Sequence, residues 1–478
     1  MGVLSLMTHG RDDGVQDSGG AVTTTPRLVR AGLGDTGRVL LGVLAPVIAE
    51  GVVARRKTMV RLGGRLDTHG RAARVLNGLR SRHDADALAL TFPRSMVLAL
   101  RPPAVTATLH GTPEPFTPAS KEKVAALSRF QPTGVLISDN PHRQARRELN
   151  ELALQTSADV HSLHRRCGEI IESEVAELLP TLPEGRLTWD TYVVAHWRTV
   201  RRFVFGDAAR DDETVTDLLT VLRRDANWGY AFPRRSATYN NFRRRLDHLV
   251  AAAPEDSLAA VVRDAVDKPG SLDPIGQIPH WLFAFDAVAV AIHRALALLA
   301  SHPVTAAAAR TEAAVVDSAE PRVLPTLRAT VLESLRLWPT TLAILREATR
   351  DVPWDGGVVA EGATTIVIGE FFQRDDDAMD FAQRFTPDAW TDGRAQELAG
   401  VVPFSDGPGE CPGRNVVLMF ATAVLAAICR DVDLDDNVLS PRARAGVVDM
   451  PHSLDHFDLR IELRAVPGST REISRPHD

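Results

Sequence analysis

Apolar side chains recur at spacings of three and four residues through most of the interior of the chain. This spacing places them on one face of an α-helix. The clearest such segments are 145–156, 160–179, 214–224, 240–252, 280–301, 322–337 and 414–430. Two short segments, 357–368 and 456–463, alternate or are β-branched as strands are. The pattern predicts a mainly α-helical protein with a small β region.

The chain has 478 residues, which is more than one hydrophobic core usually organises. It shows no internal repeat and no long linker that would separate two cores. Residues 1–26 and 467–478 lack a hydrophobic period, so we expect a disordered N-terminal tail and a flexible C-terminal tail. The segment 27–466 is therefore predicted to form a single domain.

Charge and cysteine content exclude several classes of protein. The net charge of −6 argues against a nucleic-acid partner, which would require a basic surface. Three cysteines without a CxxC pair suggest neither a disulfide framework nor a zinc site, which fits a cytoplasmic protein. The N-terminus does not resemble a secretory signal. The apolar run 39–49 is shorter than the roughly 20 residues that cross a bilayer, so a core helix is favoured there and no integral membrane association is expected.

The segment most informative about chemistry is 402–414, which joins a glycine-rich loop to the start of an apolar helix through Cys411. Gly407, Gly409 and Gly413 permit close backbone approach, and a helix N-terminus favours a thiolate over a thiol. A cysteine in such a loop can also be a structural or redox-sensitive thiol. Cys167 and Cys429 lie in helical segments, where small buried hydrophobes are expected.

Four positions of this segment distinguish between these alternatives. Phe404, Gly407, Cys411 and Gly413 reproduce the F-x-x-G-x-x-x-C-x-G loop with which cytochromes P450 bind haem iron, and the chain resembles the soluble bacterial members of that family. The resemblance implies haem b with Cys411 as ligand to its iron. It also implies that the haem lies between a long central helix and the cysteine loop.

Further positions resemble conserved features of the same family. Glu333 and Arg336 resemble its structural E-x-x-R ion pair, although such a pair alone is common on helix surfaces. His142 and Arg146 resemble its H-x-x-x-R motif, and Arg346 resembles a further arginine. The resemblance implies that these three side chains bind the haem propionates, because buried carboxylates need neutralising partners.

The apolar helix 280–301 carries one carboxylate, Asp286, which is costly in such surroundings unless it is paired or functional. By resemblance, Asp286 is the catalytic acid that delivers protons to dioxygen, and Ala287 stands where threonine is usual. The alternative for Asp286 is a buried acid paired with a neighbouring helix. The side chains expected to line the substrate pocket are Phe283, Phe285, Ala287 and Val290. Ala389 and Gly409 also depart from the family pattern, where arginine and histidine or arginine are common.

The resemblance implies a monooxygenase that hydroxylates or otherwise oxidises a small, mostly apolar molecule, in a setting such as secondary metabolism. Electrons are expected from a separate ferredoxin and its reductase, because no dinucleotide fingerprint marks a fused reductase. Because Ala287 lacks the hydroxyl, a peroxide-using or atypical oxidase that forms C–C, C–O or C–N bonds stays open. A haem-binding protein without turnover is a further alternative.

Overall fold

A computed structural model describes residues 25–90, 92–266, 273–315, 321–435, 439 and 449–465. Most of the segment 1–26 and all of 467–478 lie outside these residues. The helices are α1 Leu33–Val39, α2 Ala45–Glu50, α3 Lys57–Arg65, α4 Thr68–Arg82, α5 Pro102–His110, α6 Lys121–Leu127, α7 His142–Leu154, α8 His164–Leu178, α9 Trp189–Phe205, α10 Glu213–Ala226, α11 Ser236–Ala251, α12 Ala259–Arg263, α13 Ile278–Ser301, α14 Pro303–Ala314, α15 Pro325–Leu337, α16 Gly369–Gln373, α17 Asp388–Thr391 and α18 Arg414–Cys429.

The strands are shorter than the helices and belong to three sheets. They are β1 Leu28–Arg30, β2 Ala87–Leu90, β3 Met96–Ala99, β4 Phe116–Thr117, β5 Arg186–Thr188, β6 Ala343–Ala348, β7 Val352–Trp354, β8 Gly357–Val359, β9 Thr364–Ile368, β10 Val432–Asp435 and β11 Arg460–Ala465. The largest sheet has the order β1-β2-β3-β9-β6-β4, the second is β10-β11-β5, and β7 pairs with β8. The predicted mainly helical class with a small β region is confirmed.

The helical core surrounds α13, which packs against α9, α15 and α18. A helix that is apolar on nearly all sides is stable when other helices cover it. The region Ile275–Ser301 is long and apolar enough to cross a membrane, but 72% of its apolar window is buried inside the protein. A second apolar core lies on the six-stranded sheet.

The seven predicted helices correspond to α7, α8, α10, α11, α13, α15 and α18, with ends shifted by a few residues. The predicted strand 357–368 is divided into β8 and β9 by a turn in which Gly362 has a φ of +74°. The expected core helix at 39–49 is only partly buried. A π-helical turn, Leu40–Leu44, precedes α2 there, and Leu41 is 77% exposed although Val43 is buried.

Candidate active site

The loop 402–414 closes on itself and positions Cys411 just before α18. The backbone N–H of Cys411 donates to the carbonyl of Phe404 at 2.9 Å, and the Asp406 carboxylate accepts from the N–H of Gly407 at 2.7 Å. Gly407 has a φ of +62°, and a Cβ there would lie 2.9 Å from the carbonyl oxygen of Leu109. Glycine is required at this position because both the conformation and the contact exclude a side chain.

Burial raises the pKa of the Cys411 thiol, while a backbone hydrogen bond from Gly413 and the charge of Arg147 act in the opposite direction. Donors and cations of this kind favour a thiolate when a further positive partner is present. Cys167 and Cys429 are buried, as expected for small hydrophobes. The geometry of Cys411 is therefore that of a candidate metal ligand.

Arg346 on β6 lies beside this loop and is only 2% exposed. Its guanidinium donates to Thr112 Oγ1 at 2.9 Å, to Ser405 Oγ at 3.1 Å and to the Leu345 carbonyl at 3.1 Å. These acceptors are neutral, and no carboxylate of the described residues pairs with Arg346. Burial, with the charge of Arg143 as a smaller cause, lowers the pKa of Arg346 to about 10. A buried cation without a counter-ion is costly, which indicates a place for an anion.

Helix α7 brings further arginines to this region besides the residues that the sequence suggested. His142 is exposed, and Arg146 donates to Ser138 Oγ at 2.6 Å. Arg143 is instead buried and within electrostatic reach of Arg346, and Arg147 donates to the carbonyl of Glu410 at 2.7 Å.

Both pairs on α7 have the spacing of one helical turn, so spacing alone could not choose between them. The rotation of α7 about its axis buries Arg143 and leaves His142 exposed, whereas Arg146 and Arg147 are both half-buried. Arg143 and Arg147, one position further on, are the residues that sequence reasoning missed.

Glu333 and Arg336 on α15 are both fully buried, with Arg336 Nε 2.5 Å from Glu333 Oε2. Arg336 also donates to the carbonyls of Gln373 at 3.0 Å, Ala382 at 2.8 Å and Arg384 at 2.7 Å. Glu333 accepts from the N–H of Thr386 at 2.6 Å and from Trp390 Nε1 at 2.9 Å. The pair fixes the segment 373–390 against α15, so its role is structural.

One side of α13 is less buried than the others. Although helices cover α13 on its other sides, the side chains of a stripe at helical spacing are only half-buried; they are His280, Phe283, Ala284, Ala287 and Val290. Partly exposed residues inside a helical core are expected where a ligand cavity lies between elements.

Phe285 does not belong to this stripe, so its prediction as a pocket residue is corrected. Its ring is 1% exposed and packs at centroid distances of 6.1 Å from Phe203 and 5.1 Å from Phe420. Because Phe285 follows Phe283 by two residues on a helix, its side chain points to a different side of α13. It is a core residue.

Asp286 is also half-buried and pairs with α10. Arg223 Nη2 lies 2.5 Å from Asp286 Oδ2 and also donates to the carbonyl of Val53 at 3.0 Å. The guanidinium carbon of Arg223 is 5.1 Å from the centroid of the Phe283 ring. The carboxylate is thus paired across helices and stands beside the half-buried stripe of α13.

Comparison with known proteins agrees with this arrangement. The family model for cytochrome P450 matches residues 282–440, which include α15, Arg346 and the Cys411 loop. A crystal structure of a cytochrome P450 (CYP102L1) superposes with a TM-score of 0.65 over 83% of this chain and 94% of that chain, at 19% identity. The chain therefore has the cytochrome P450 fold, and the resemblance to that family is confirmed.

Curated relatives match over short segments. A probable mitochondrial cytochrome P450 12c1 of Drosophila melanogaster is 30% identical over 125 residues, which are 24% of each chain. A 2-hydroxyisoflavanone synthase of Glycine max is 29% identical over 176 residues, which are 33% of each chain. The match thus spans between about a quarter and a third of these relatives' length.

The residues present fit the haem group that this family carries. Cys411 at the end of its closed loop could supply a thiolate to the iron, and the half-buried side of α13 offers an apolar surface. Buried Arg346 and the buried, unpartnered Nε of Arg143 could neutralise two carboxylates at the edge of the group. Among the described residues no cluster of three or more His, Cys, Asp or Glu side chains could hold a metal ion.

Proposed function

We propose that the protein is a haem-thiolate monooxygenase that holds haem b through Cys411 and oxidises a small organic molecule. The observation that carries this proposal is Cys411 on its closed loop, beside a buried arginine that lacks a counter-ion. When bound, the haem would supply an oxidant strong enough to attack an unactivated C–H bond. The protein supplies binding, orientation and protons.

Three parts of the chain have separate roles in this mechanism. Arg346 and Arg143 would hold the propionates beside the Cys411 loop. Phe283, Ala284, Ala287 and Val290 exclude water and bind the substrate. The Asp286 carboxylate, which Arg223 keeps in place, would relay protons toward dioxygen.

Ala287 favours a second candidate within the same chemistry. The side chain of Ala287 is a methyl group at the position where a hydroxyl would relay protons from Asp286. The alternative to the monooxygenase is therefore an enzyme that uses peroxide, or one whose atypical oxidation forms C–C, C–O or C–N bonds. For the monooxygenase, we propose a ferredoxin and its reductase as electron donors, a cytoplasmic location and a role in secondary metabolism. Peroxide-driven and NAD(P)H-driven turnover of the same protein would separate the two candidates.

The test of the proposed function is the carbon monoxide difference spectrum of the dithionite-reduced protein. We expect the red-shifted Soret band of a thiolate-ligated haem, and we expect Cys411→Ser to abolish it. Cys429→Ser is the matched control and should keep the band, because that thiol is buried within α18 away from the loop. A histidine-type band, or no haem in the wild type, would contradict the proposal.

A further inference from the structure

Lys123 on α6 is a cation that the proposed mechanism does not use. Its Nζ donates to the carbonyl of Leu345 at 2.9 Å, next to Arg346 on β6. An ammonium group has three N–H donors, so this single bond leaves donors available. Lys123 therefore lies next to the candidate haem site with unused hydrogen-bonding capacity.

The surroundings of Lys123 lack a committed counter-ion. Burial holds the pKa of Lys123 well below its usual value, and the charge of Arg346 acts in the same direction. Glu122 opposes this effect, but its carboxylate is 2.9 Å from Arg94 Nη1 and also accepts from Thr364. No salt bridge joins Lys123 to a carboxylate in the described part of the chain.

Lys121, two residues earlier, is a useful contrast. Its side chain is 65% exposed, and its Nζ lies 3.5 Å from the Glu347 carboxylate. The two lysines occupy one helical turn of the same short helix, yet only Lys123 is turned inward. This orientation is what requires an explanation.

His280, on α13, is a second polar residue close to Lys123. Its ring belongs to the half-buried stripe of α13, and its centroid lies 6.2 Å from that of the Phe283 ring. Burial lowers the pKa of His280 to about 4, and the charge of Lys123 contributes. Its Nδ1 is buried and has no hydrogen-bond partner among the described residues. The Nδ1 of His280 is thus a buried polar atom that no contact among the described residues satisfies.

We propose that Lys123 and His280 bind an anionic oxygen group of the substrate, a carboxylate in the simplest case, at the α6 side of the pocket. The apolar remainder of the substrate would extend along Phe283 and Ala287 toward the haem. This inference rests on the proposed function and names the substrate class for it, an amphiphilic acid. It changes the expectation of a mostly apolar substrate.

A propionate of the haem is the other carboxylate that Lys123 could bind. Arg346 is directed toward Ser405 and the cysteine loop, and Arg143 lies within electrostatic reach of it, so two cations are already available for the two propionates. Lys123 instead contacts the strand at Leu345 and is within electrostatic reach of His280 on α13. The structure therefore favours the substrate as the source of the anion.

The test uses probes that bind the haem iron whatever the natural substrate is. Imidazoles that carry an alkanoic acid chain of graded length are compared with the matching imidazolyl alkanols by difference spectroscopy. We expect the acid to bind at least about tenfold more tightly than the alcohol at the length that reaches Lys123, because hydrogen bonds to charged groups are the stronger ones. Lys123→Met should remove this preference, whereas Lys121→Met should keep it.

The outcomes separate the inference from the proposed function. A wild type without the thiolate-type carbon monoxide band refutes the proposed function, and the inference fails with it. Equal affinity of acid and alcohol at every length, in a wild type that has the band, overturns the inference alone. Loss of haem from Lys123→Met but not from Lys121→Met would assign Lys123 to a propionate and would also overturn it.

Discussion

Two interior regions of the protein differ in how their buried polar groups are paired. Around α15, Glu333 and Arg336 are fully buried, and the donor and acceptor atoms of the pair all have hydrogen-bond partners. Near Arg346 and on the half-buried stripe of α13, the Nε of Arg143 and the Nδ1 of His280 are buried and have no partner among the described residues. Since both regions are interior, burial alone does not explain the difference.

This comparison indicates that buried polar groups with partners stabilise the fold, whereas buried polar groups without partners are available to bind a ligand. An unpaired buried polar group costs about 1 to 3 kcal/mol, and more if it is charged, so such groups near a candidate site are expected to pair with a ligand. A network in which every polar group already has a partner, such as that of Glu333 and Arg336, does not require a ligand. Substitutions in the first region should therefore act on stability, and those in the second on binding and turnover.

The largest effect is expected for Arg336→Ala. It leaves the Glu333 carboxylate and several carbonyls buried without partners, a loss of more than about 5 kcal/mol, which is comparable with the whole stability of many domains. We expect aggregated protein without haem, measured by soluble yield and thermal unfolding. Arg38→Ala is the control, because the exposed Arg38–Asp35 pair has the same spacing and should contribute at most about 1 kcal/mol. A soluble, haem-loaded Arg336→Ala protein would contradict the claim that this pair stabilises the fold.

A second fully paired cluster extends the same comparison. His69 Nδ1 lies 2.6 Å from Glu370 and its Nε2 3.0 Å from Glu50, while His452 lies 3.0 Å from Glu370. Burial opposes charge on His69, but the hydrogen bonds to both carboxylates outweigh it and raise the pKa to about 10. For Glu370 burial is likewise outweighed, by hydrogen bonds from His452 and His69, and the pKa falls to about 2.

His69→Gln should cost about 3 to 5 kcal/mol because it leaves two buried carboxylates facing each other. The contribution of His69 is complete below its ordinary pKa of 6.5 and is lost as the pH rises toward about 10. That of Glu370 is complete above 4.5 and is lost as the pH falls toward about 2. Denaturant unfolding of the wild type and the variant should therefore differ most between pH 4.5 and 6.5. A pH-independent difference would show that His69 acts by packing alone; the exposed His142→Gln should change nothing.

The smallest effect on stability is expected for Asp286→Asn, because the carboxylate is 30% exposed and lies beside the half-buried stripe of α13. We expect an unchanged melting temperature and carbon monoxide band, but dioxygen consumption driven by NAD(P)H and surrogate redox partners should fall by about a hundredfold. Dye oxidation driven by peroxide should fall far less, because peroxide brings its own protons. An equal loss by both routes, with a lower melting temperature, would assign Asp286 to the fold.

Sequence patterns located the long helices and the central motifs, because helical period and the spacing of Phe404, Gly407, Cys411 and Gly413 are local properties. The ends of β8 and β9 were not foreseen, since the turn at Gly362 interrupts a run that reads as one strand. Lys123 and His280 carried no signal at all. A lysine on a short helix and a histidine at a helix start are ordinary on a surface, and only packing shows that they are inside.

By itself the sequence determined the helical class, the cysteine loop and the family resemblance, because these depend on residues that are neighbours along the chain. The tertiary structure decided the rotation of α7, which buries Arg143 and leaves His142 exposed. It also decided that Phe285 is core and that Asp286 pairs with Arg223. The physical reason is that a helix fixes the spacing of its side chains, whereas contacts with other elements fix which of them face the site.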